Sequence, residues 1–182
     1  MGFRKVRHSM HSVLQQIPAL GNQWLGQAAK WATREWKQIR NLRIQAQAQG
    51  GNPQAQYRLS RLYESGELHA PTAHTSLQLL RQAAYSGVAA AQLQLAFKYK
   101  DGLGVLPNQI EAMIWFRKAA EMGNLQAQFQ FGQGLALGTG GESDLAHGIR
   151  WLQRASAQGH PEAAELLDRL THSNAEEIQA AA

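Results

Sequence analysis

Histidine is the residue type in this sequence best suited to metal binding or proton transfer, because its imidazole can do both near neutral pH. Seven histidines are spread along the 182 residues. His8 and His11 lie close together in a polar segment without a scaffold. His69 and His74 flank a predicted turn, with no Asp or Cys beside them. The other three are scattered: His147, His160 and His172. A metal site needs several ligands at one point, so the sequence predicts none.

Patterns for covalent catalysis and for phosphate binding are also missing. The chain contains no cysteine, and no other nucleophile has a base at a useful spacing. The glycine-rich stretch GTGG at 138–141 lacks the lysine and the preceding strand of a phosphate-binding loop. We therefore expect no catalytic residue, no cofactor and no small-molecule substrate, and we predict that the protein is not an enzyme.

Small residues recur along the chain at a fixed interval of 36 residues. Three sets have this spacing: Gly51, Gly87, Gly123 and Gly159; Gly66, Gly102 and Gly138; and Ala55, Ala91, Ala127 and Ala163. A fixed period in the range of about 20–50 residues is typical of solenoids and related repeat proteins. The elements that carry any function are therefore expected to be copies of one unit.

Each repeat has room for two helices, and the central copy, 88–123, shows this most clearly. Ala91, Leu95 and Tyr99 fall on one helical face. Gly102 is suited to end that helix, because glycine adopts the left-handed conformation that helix ends commonly need. The first half of the unit is therefore predicted to be one amphipathic helix.

The second helix of the central copy begins at a capping-box pattern of Asn108 and Glu111. Thr72 and Asp144 occupy the equivalent positions in the neighbouring copies and are also good N-caps. The apolar stripe of this helix consists of Ala112, Trp115, Phe116, Ala119 and Ala120. The periodicity predicts helices over 52–65, 73–86, 89–100, 109–122, 125–137, 145–158 and 161–171.

The pattern A-x3-L-[small]-x2-Y-x2-G followed by A-x2-W-x3-A-A-x2-G resembles the Sel-1-like repeat, a relative of the tetratricopeptide repeat. In the central copy it consists of Ala91, Leu95, Ala96, Tyr99, Gly102, Ala112, Trp115, Ala119, Ala120 and Gly123. The resemblance covers roughly residues 51–170. It implies an all-α, right-handed superhelix of three antiparallel helix pairs that serves as a scaffold for protein–protein contact. Members of the family are not generally enzymes.

The outer copies depart from the pattern at five positions, where we expect weaker local packing: Leu79 and Ser76 in the first copy, and Leu135, Gly148 and Ser156 in the third. Helices at both ends are expected to cap the stack. The predicted domain organisation is a basic extension at 1–50, a repeat domain at 51–170 with units 51–87, 88–123 and 124–159 and a cap at 160–170, and a flexible tail at 171–182.

The N-terminal extension carries the positive charge of the chain. Residues 1–50 contain eight Lys or Arg and one acid, whereas residues 51–182 contain ten basic and twelve acidic residues. A long helix is predicted over about 22–48, and it has two different faces. The apolar face consists of Trp24, Ala28, Trp31, Ile39, Leu42 and Ala46, and the basic face of Lys30, Arg34 and Lys37.

Two interpretations of this helix remain open, and they are compatible. In the first, its C-terminal part is half of a degenerate repeat and caps the stack. The equivalent residues would then be Leu42 for Trp115, Ala46 for Ala119 and Gly50 for Gly123, with one extra residue before Asn52. In the second, its basic face binds an anionic membrane surface, an acidic partner or nucleic acid.

Targeting signals are weak. No segment has the apolar run of a secretory signal, and none approaches the roughly 18 apolar residues of a membrane-spanning helix. We predict a bacterial cytoplasmic protein, with membrane association if the basic helix binds lipid. A mitochondrial location is the alternative, because the first 34 residues contain no acid.

The residues left free on the first helix of each unit form the candidate binding site, since first helices line the concave face of superhelices of this kind. The free positions form three rows: Gln54, Ala90 and Gln126; Arg58, Gln94 and Gln130; and Arg61, Phe97 and Gln133. We predict that a peptide or helix of a partner protein binds five of them, Arg58, Arg61, Gln94, Phe97 and Gln130, because Arg, Gln and aromatic side chains suit such contacts. The alternative is that Phe97 packs on Tyr99 or on a neighbouring helix.

Overall fold

The computed structural model describes the backbone of residues 22–72, 74–141 and 143–180, and the side chains of residues 32–72, 74–141 and 143–172. These ranges contain eight α-helices and no strand. The helices are α1 (Asn22–Gln49), α2 (Pro53–Glu64), α3 (Thr75–Tyr85), α4 (Ala89–Asp101), α5 (Gln109–Glu121), α6 (Leu125–Leu137), α7 (Leu145–Ala157) and α8 (Pro161–Ala180). No helix in the described part of the chain is both long enough and apolar enough to cross a membrane.

The chain divides into two compact units, Met1–Ala46 and Gln47–Ala182. In the second unit the helices pack in sequence order, because α2 contacts α3, α4 contacts α5 and α6 contacts α7, and each pair also contacts the next helix along the chain. The connections within the pairs, 65–74, 102–108 and 138–144, are longer than the three-residue connections between the pairs. The prediction of an all-α helical repeat is therefore confirmed.

The turns that follow the second helix of each unit share one set of hydrogen bonds. Gly87 has a left-handed backbone, with φ +85°, and its N–H donates to the carbonyl of Ala84 at 3.1 Å. Gly51, Gly123 and Gly159 are left-handed in the same way. Only glycine adopts this conformation without strain, which explains the 36-residue glycine period.

The end of α1 keeps this register without an inserted residue, which corrects one detail of the capping interpretation. Gly51, with φ +82°, donates to Ala48 at 3.1 Å, so Gly51 rather than Gly50 is the equivalent of Gly87. The prediction that Leu42 and Ala46 take core positions of a second helix is wrong, since both side chains are exposed.

Helix starts in the second unit follow the predicted capping chemistry at four positions. The side-chain oxygens of Asn52, Asn108, Asn124 and Asp144 each accept the backbone N–H three residues later, at 2.9–3.1 Å. The prediction for Thr72 is wrong. Its hydroxyl pairs with the hydroxyl of Thr75 at 2.8 Å instead of capping, and α3 begins two residues later than predicted.

The last helix is longer than predicted. α8 begins at Pro161 and continues to Ala180, past residue 171, where the sequence predicts its end. Its first turns bury Ala163 and Leu166 against Phe129, Leu152 and Ala155. This contact gives the third pair an apolar cover at its C-terminal side.

The main core lies between the first and the second helix pairs and extends into α6. Trp115 is only 3% exposed, and the edge of its indole meets the Tyr85 ring at a centroid distance of 5.0 Å. Its equivalent Trp151 is half-buried and packs edge-to-face on Phe131 at 5.6 Å. Both tryptophans are therefore packing residues, as predicted.

A row of buried glutamines joins each first helix to the helix before it. The side-chain amides of Gln56, Gln92 and Gln128 donate to the backbone carbonyls of Ala48, Ala84 and Ala120, at 3.5, 3.1 and 3.3 Å respectively. These residues are also spaced by 36. A buried carbonyl at the last turn of a helix needs a donor, and the glutamine supplies it in all three places.

The two helices of each pair carry small residues at one equivalent pair of positions, and these residues differ among the three pairs. The first pair has Ser60 and Ser76, the second Ala96 and Ala112, and the third Gly132 and Gly148. A β-carbon on Gly148 would lie 2.8 Å from the carbonyl oxygen of Gly132. The sequence expectation that Gly148 weakens packing is therefore incomplete, because the helix backbones use the space that a side chain would fill.

Candidate partner-binding surface

The predicted site residues lie on the first helices, α2, α4 and α6, which stand side by side in the second unit. We call their shared surface the first-helix face and define it by Arg58, Arg61, Gln94, Phe97 and Gln130. Side-chain contacts between residues 30 positions apart, from α2 to α4 and from α4 to α6, show that the three helices are neighbours. The structure therefore brings these five residues onto adjacent helices.

The two arginines of α2 are the accessible cations of this face. Arg58 and Arg61 are both exposed, and they are three residues apart on one helix, which places them about one turn from each other. Neither makes an ion pair with another described residue. They provide positive charge at one end of the first-helix face.

Glu64 joins α2 to α4. Its carboxylate forms a 2.7 Å ion pair with the ammonium group of Lys98, and it also accepts a hydrogen bond from the side-chain amide of Gln94. The side chains of Lys98 and Glu64 are 17% and 26% exposed. Partial burial makes such a pair less screened than a fully exposed one. Gln94 is therefore held in place and is not a free side chain, although its amide oxygen can still accept.

Lys100 joins α4 to α6 in the same manner, with the opposite charge. It lies 36 residues after Glu64 and donates to the side-chain oxygen of Gln130 at 2.9 Å. Its nitrogen is also 5.8 Å from the centroid of the Phe97 ring, within the usual reach of a cation–π contact. Gln130 keeps its amide hydrogens available for a ligand.

Phe97 is less accessible than a free anchor residue would be. Its ring is half-buried and meets Phe116 edge-to-face at a centroid distance of 5.2 Å. Aromatic pairs of this geometry contribute about 0.5–1.5 kcal/mol beyond the area that they bury. The ring thus packs on a neighbouring helix, as the alternative interpretation proposed, and we expect replacement of Phe97 to lower thermal stability.

The first-helix face combines fixed amides with exposed guanidinium groups. Glutamine offers both a donor and an acceptor, which suits the backbone of a peptide, and arginine suits carboxylates. Because Glu64 and Lys100 hold the two glutamines, this surface is largely pre-organised. Its chemistry fits recognition of a polypeptide better than catalysis.

Sequence reasoning did not identify Glu64, Lys98 and Lys100 as parts of this surface. A signal was available for two of them, because Glu64 and Lys100 occupy the same position in consecutive units. Their opposite charges concealed the equivalence. The contact pattern, in which each reaches the next first helix, appears only in three dimensions.

The basic face of α1 belongs to the first unit and is a separate candidate surface. Arg34 and Lys37 are exposed, and the indole of Trp36 is 59% exposed. Lys30 lies in the helical backbone, but its side chain is outside the described residues, as are the side chains of Trp24, Ala28 and Trp31. The 1–21 segment of the basic extension also lies outside them.

Titratable groups do not assemble into a metal centre in the described part of the chain, where no three His, Asp, Glu or Cys side chains converge. His160 instead stacks on Phe129 at 4.4 Å and pairs with the Gln126 side chain at 3.1 Å. The backbone N–H and then the ring of His147 hold the pKa of Asp144 below its usual value of 3.8. That shift reflects a helix cap, since Asp144 begins α7.

The family of the Sel1 repeat matches the chain three times, at residues 53–88, 89–124 and 125–160. Together these matches cover most of the second unit. The described positions of α2 to α7 fall inside them. No curated protein matches the chain.

Solved structures of bacterial repeat proteins are similar to this one. The Sel1 repeat protein from Oxalobacter formigenes is 30% identical, with a TM-score of 0.67, and the match covers 70% of this chain and 96% of that one. The protein c5321, a protective antigen of uropathogenic Escherichia coli with an SLR fold, is 29% identical, with a TM-score of 0.63, over 68% of this chain and 26% of that one.

A third structure, the Helicobacter pylori cysteine-rich protein B, shares the fold alone, at 16% identity and a TM-score of 0.52 over 70% of this chain and 96% of that chain. The resemblance inferred from the glycine and alanine period is thus confirmed. The chain belongs to the Sel1 repeat family.

Proposed function

We propose that the protein is a non-enzymatic adaptor whose first-helix face binds a peptide or a helix of a partner protein. Sel1 repeat proteins generally mediate protein–protein interaction, and their fold is typically a scaffold. The identity of the partner and the absence of enzymatic activity remain predictions for this chain.

The observation that carries the proposal is the pair of exposed guanidinium groups beside a surface of fixed amides. Arg58 and Arg61 have no carboxylate partner among the described residues, whereas the neighbouring Glu64 is already bound to Lys98. A pre-organised surface binds with a smaller loss of side-chain entropy. The expected ligand is therefore a polypeptide segment with an acidic group near one end.

Affinity capture followed by mass spectrometry tests this proposal when the wild type is compared with two variants. Arg58→Glu/Arg61→Glu reverses the charge of the first-helix face, and Arg150→Glu reverses an exposed charge on the second helix α7. We expect the same specific protein to be captured by the wild type and by Arg150→Glu, and to be lost with the double variant. Equal capture by all three proteins would contradict the proposal.

A second candidate function is supported by the basic face of α1. Arg34, Trp36 and Lys37 are exposed within about one turn of α1, and basic residues with an exposed aromatic ring are typical of helices that lie on membrane surfaces. We propose an anionic membrane surface as the alternative partner and nucleic acid as the other polyanion that this face suits. The proposal includes Lys30 because the sequence places it on the same basic face of the helix as Arg34 and Lys37.

Salt dependence tests the second candidate function, and charge reversal separates it from the first. Charge-driven binding of the full chain to anionic vesicles or to nucleic acid should weaken steeply as salt rises. Arg34→Glu/Lys37→Glu should abolish it, and Arg58→Glu/Arg61→Glu should leave most of it. The similar proteins whose structures have been solved are bacterial, which supports a bacterial origin for this protein. The cytoplasmic location stays a prediction.

A further inference from the structure

A cleft of about 600 Å³ lies between α3 and the turn that joins α4 to α5. Leu77 on α3 and Val105 and Pro107 on the turn supply apolar walls, and Arg81 and Tyr99 supply polar groups. Its volume falls within the range of about 300–1,000 Å³ that is usual for ligand sites. The cleft lies outside the first-helix face, and no acid lines it.

Arg81 is the charged group of the cleft, and its only partner among the described residues is neutral. Its guanidinium donates to the Tyr99 hydroxyl at 3.3 Å. The equivalent residue in the next unit, Arg117, has Glu121 one turn later at 3.9 Å, whereas Tyr85 occupies that position after Arg81. The positive charge of Arg81 thus lacks the carboxylate that its equivalent has, and the Tyr99 hydroxyl still has a proton to donate.

The matching turn in the next unit packs closely on α5, which differs from the described part of the cleft. Gly140 on the α6–α7 turn packs on α5, so that an added β-carbon would lie 2.9 Å from the Gln109 carbonyl oxygen and 3.2 Å from the Met113 side chain. Its equivalent Gly104 has no described atom within 4 Å of the same position. Among the described residues, therefore, nothing fills the space beside Gly104.

The rim of the cleft exposes apolar side chains to water. Leu106 is 87% exposed, and Leu103 beside it on the same turn is 56% exposed. Exposed apolar groups next to a concave surface often mark a binding site. The turn itself is well held, because the Asn108 N–H donates to the Tyr99 carbonyl at 2.8 Å.

We propose that this cleft binds the C-terminus of a partner polypeptide that ends in an apolar residue. Such a residue has a carboxylate and an apolar side chain on one carbon atom. The carboxylate would accept from Arg81 and Tyr99, and the side chain would pack on Leu77, Val105 and Pro107. Arginine binds carboxylates with two parallel hydrogen bonds, which favours a free chain end over an amide. This site is additional to the first-helix face and does not depend on it.

Selection from a peptide library by the full chain tests this site. The probe is a set of N-acetylated hexapeptides with randomised positions before a C-terminal leucine, made once as free acids and once as C-terminal amides. Fluorescence anisotropy then compares each selected sequence in both forms. We expect free acids to bind about tenfold tighter or more, as a hydrogen-bonded charge typically contributes.

Four variants separate this cleft from other surfaces. Arg81→Gln should remove the preference for the free acid, and Leu106→Asp, at an exposed position, should weaken both forms without lowering the melting temperature. Arg117→Gln is the matched control in the next unit and should bind like the wild type. Arg58→Glu/Arg61→Glu should also leave this binding intact, so that failure of the proposed adaptor function and failure of this proposal are distinguishable. Selection of no peptide, equal binding of acids and amides, or a preference that survives Arg81→Gln would overturn it.

Discussion

The second and third helix pairs follow the same 36-residue template, but they bring their helices together with different residues. In the second pair, Ala96 and Ala112 occupy these positions, and both are fully buried. In the third pair, Gly132 and Gly148 stand at the same positions, and the backbones themselves are in contact distance. Buried methyl groups stand at these positions in one pair, and in the other the backbones leave no room for a β-carbon.

The difference shows that a departure from a repeat pattern has to be judged together with its structural partner. Glycine in a helix costs about 1 kcal/mol relative to alanine, and Gly148 considered alone looks like a defect. Together with Gly132 it permits close backbone approach. The first pair has a third solution, because the Ser76 hydroxyl donates to the Ser60 carbonyl at 3.1 Å.

The largest expected difference between the two pairs comes from their tryptophans. Trp115→Ala should lower the free energy of unfolding by about 3–5 kcal/mol, as other large-to-small core changes do. Trp151→Ala should cost less, about 1–3 kcal/mol, because Trp151 is only half-buried. Urea denaturation followed by circular dichroism measures both values.

A conservative variant provides the control for this pair of values. The indole N–H of Trp115 has no hydrogen-bond partner among the described residues, so Trp115→Phe should cost clearly less than Trp115→Ala. If Trp115→Ala changed stability by no more than about 0.5 kcal/mol, in the range of surface substitutions, the tryptophan would not be core, and the comparison would fail.

Opposite substitutions at the equivalent positions 112 and 148 should both lower the stability of the protein. Gly148→Ala gains helix propensity but forces a β-carbon against the Gly132 carbonyl, and overpacking of this kind costs about 1–3 kcal/mol. Ala112→Gly loses about 1 kcal/mol of helix propensity as well as a buried methyl group. We expect both variants to melt at a lower temperature than the wild type. A stabilised Gly148→Ala variant would show that the helices of the third pair are not in close contact.

The smallest expected difference concerns pH, because the equivalent caps are Asn108 in the second pair and Asp144 in the third. The pKa of Asp144 is lowered from 3.8 in the folded protein, first by the His147 backbone N–H and then by its ring. A depressed pKa stabilises the fold above the unfolded value, and this contribution is lost as the pH falls through the folded value. Between about pH 6 and about pH 3, the melting temperature of Asp144→Asn should therefore fall less than that of the wild type. An identical pH dependence of the two proteins would contradict this assignment.

The sequence was sufficient to predict the helical repeat, because its signals are local and recur in each unit. Glycine at a left-handed turn and Asn or Asp at a helix start depend only on the nearby backbone, so Gly87 and Asn124 were predictable. Thr72 was not, since its hydroxyl could bind either a backbone N–H or another hydroxyl, and Thr75 offered the latter.

The candidate site was only partly predictable, because side-chain pairing between helices depends on three-dimensional packing. The helical wheel correctly placed Arg58 and Arg61 on an exposed surface. It could not show that Glu64 binds Gln94 or that Phe97 reaches Phe116, because these contacts link residues on different helices. The pairing of Gly132 with Gly148 is of the same kind.

Hydrogen–deuterium exchange of the full chain, with and without its captured partner protein, tests most directly the claim that the first-helix face is the binding surface. We expect added protection in α2, α4 and α6, and unchanged exchange in the second helices α3, α5 and α7. Protection is expected to be strongest in Pro53–Glu64, which carries Arg58 and Arg61. Protection confined to the second helices, or to α1, would contradict the claim and place the partner on another surface.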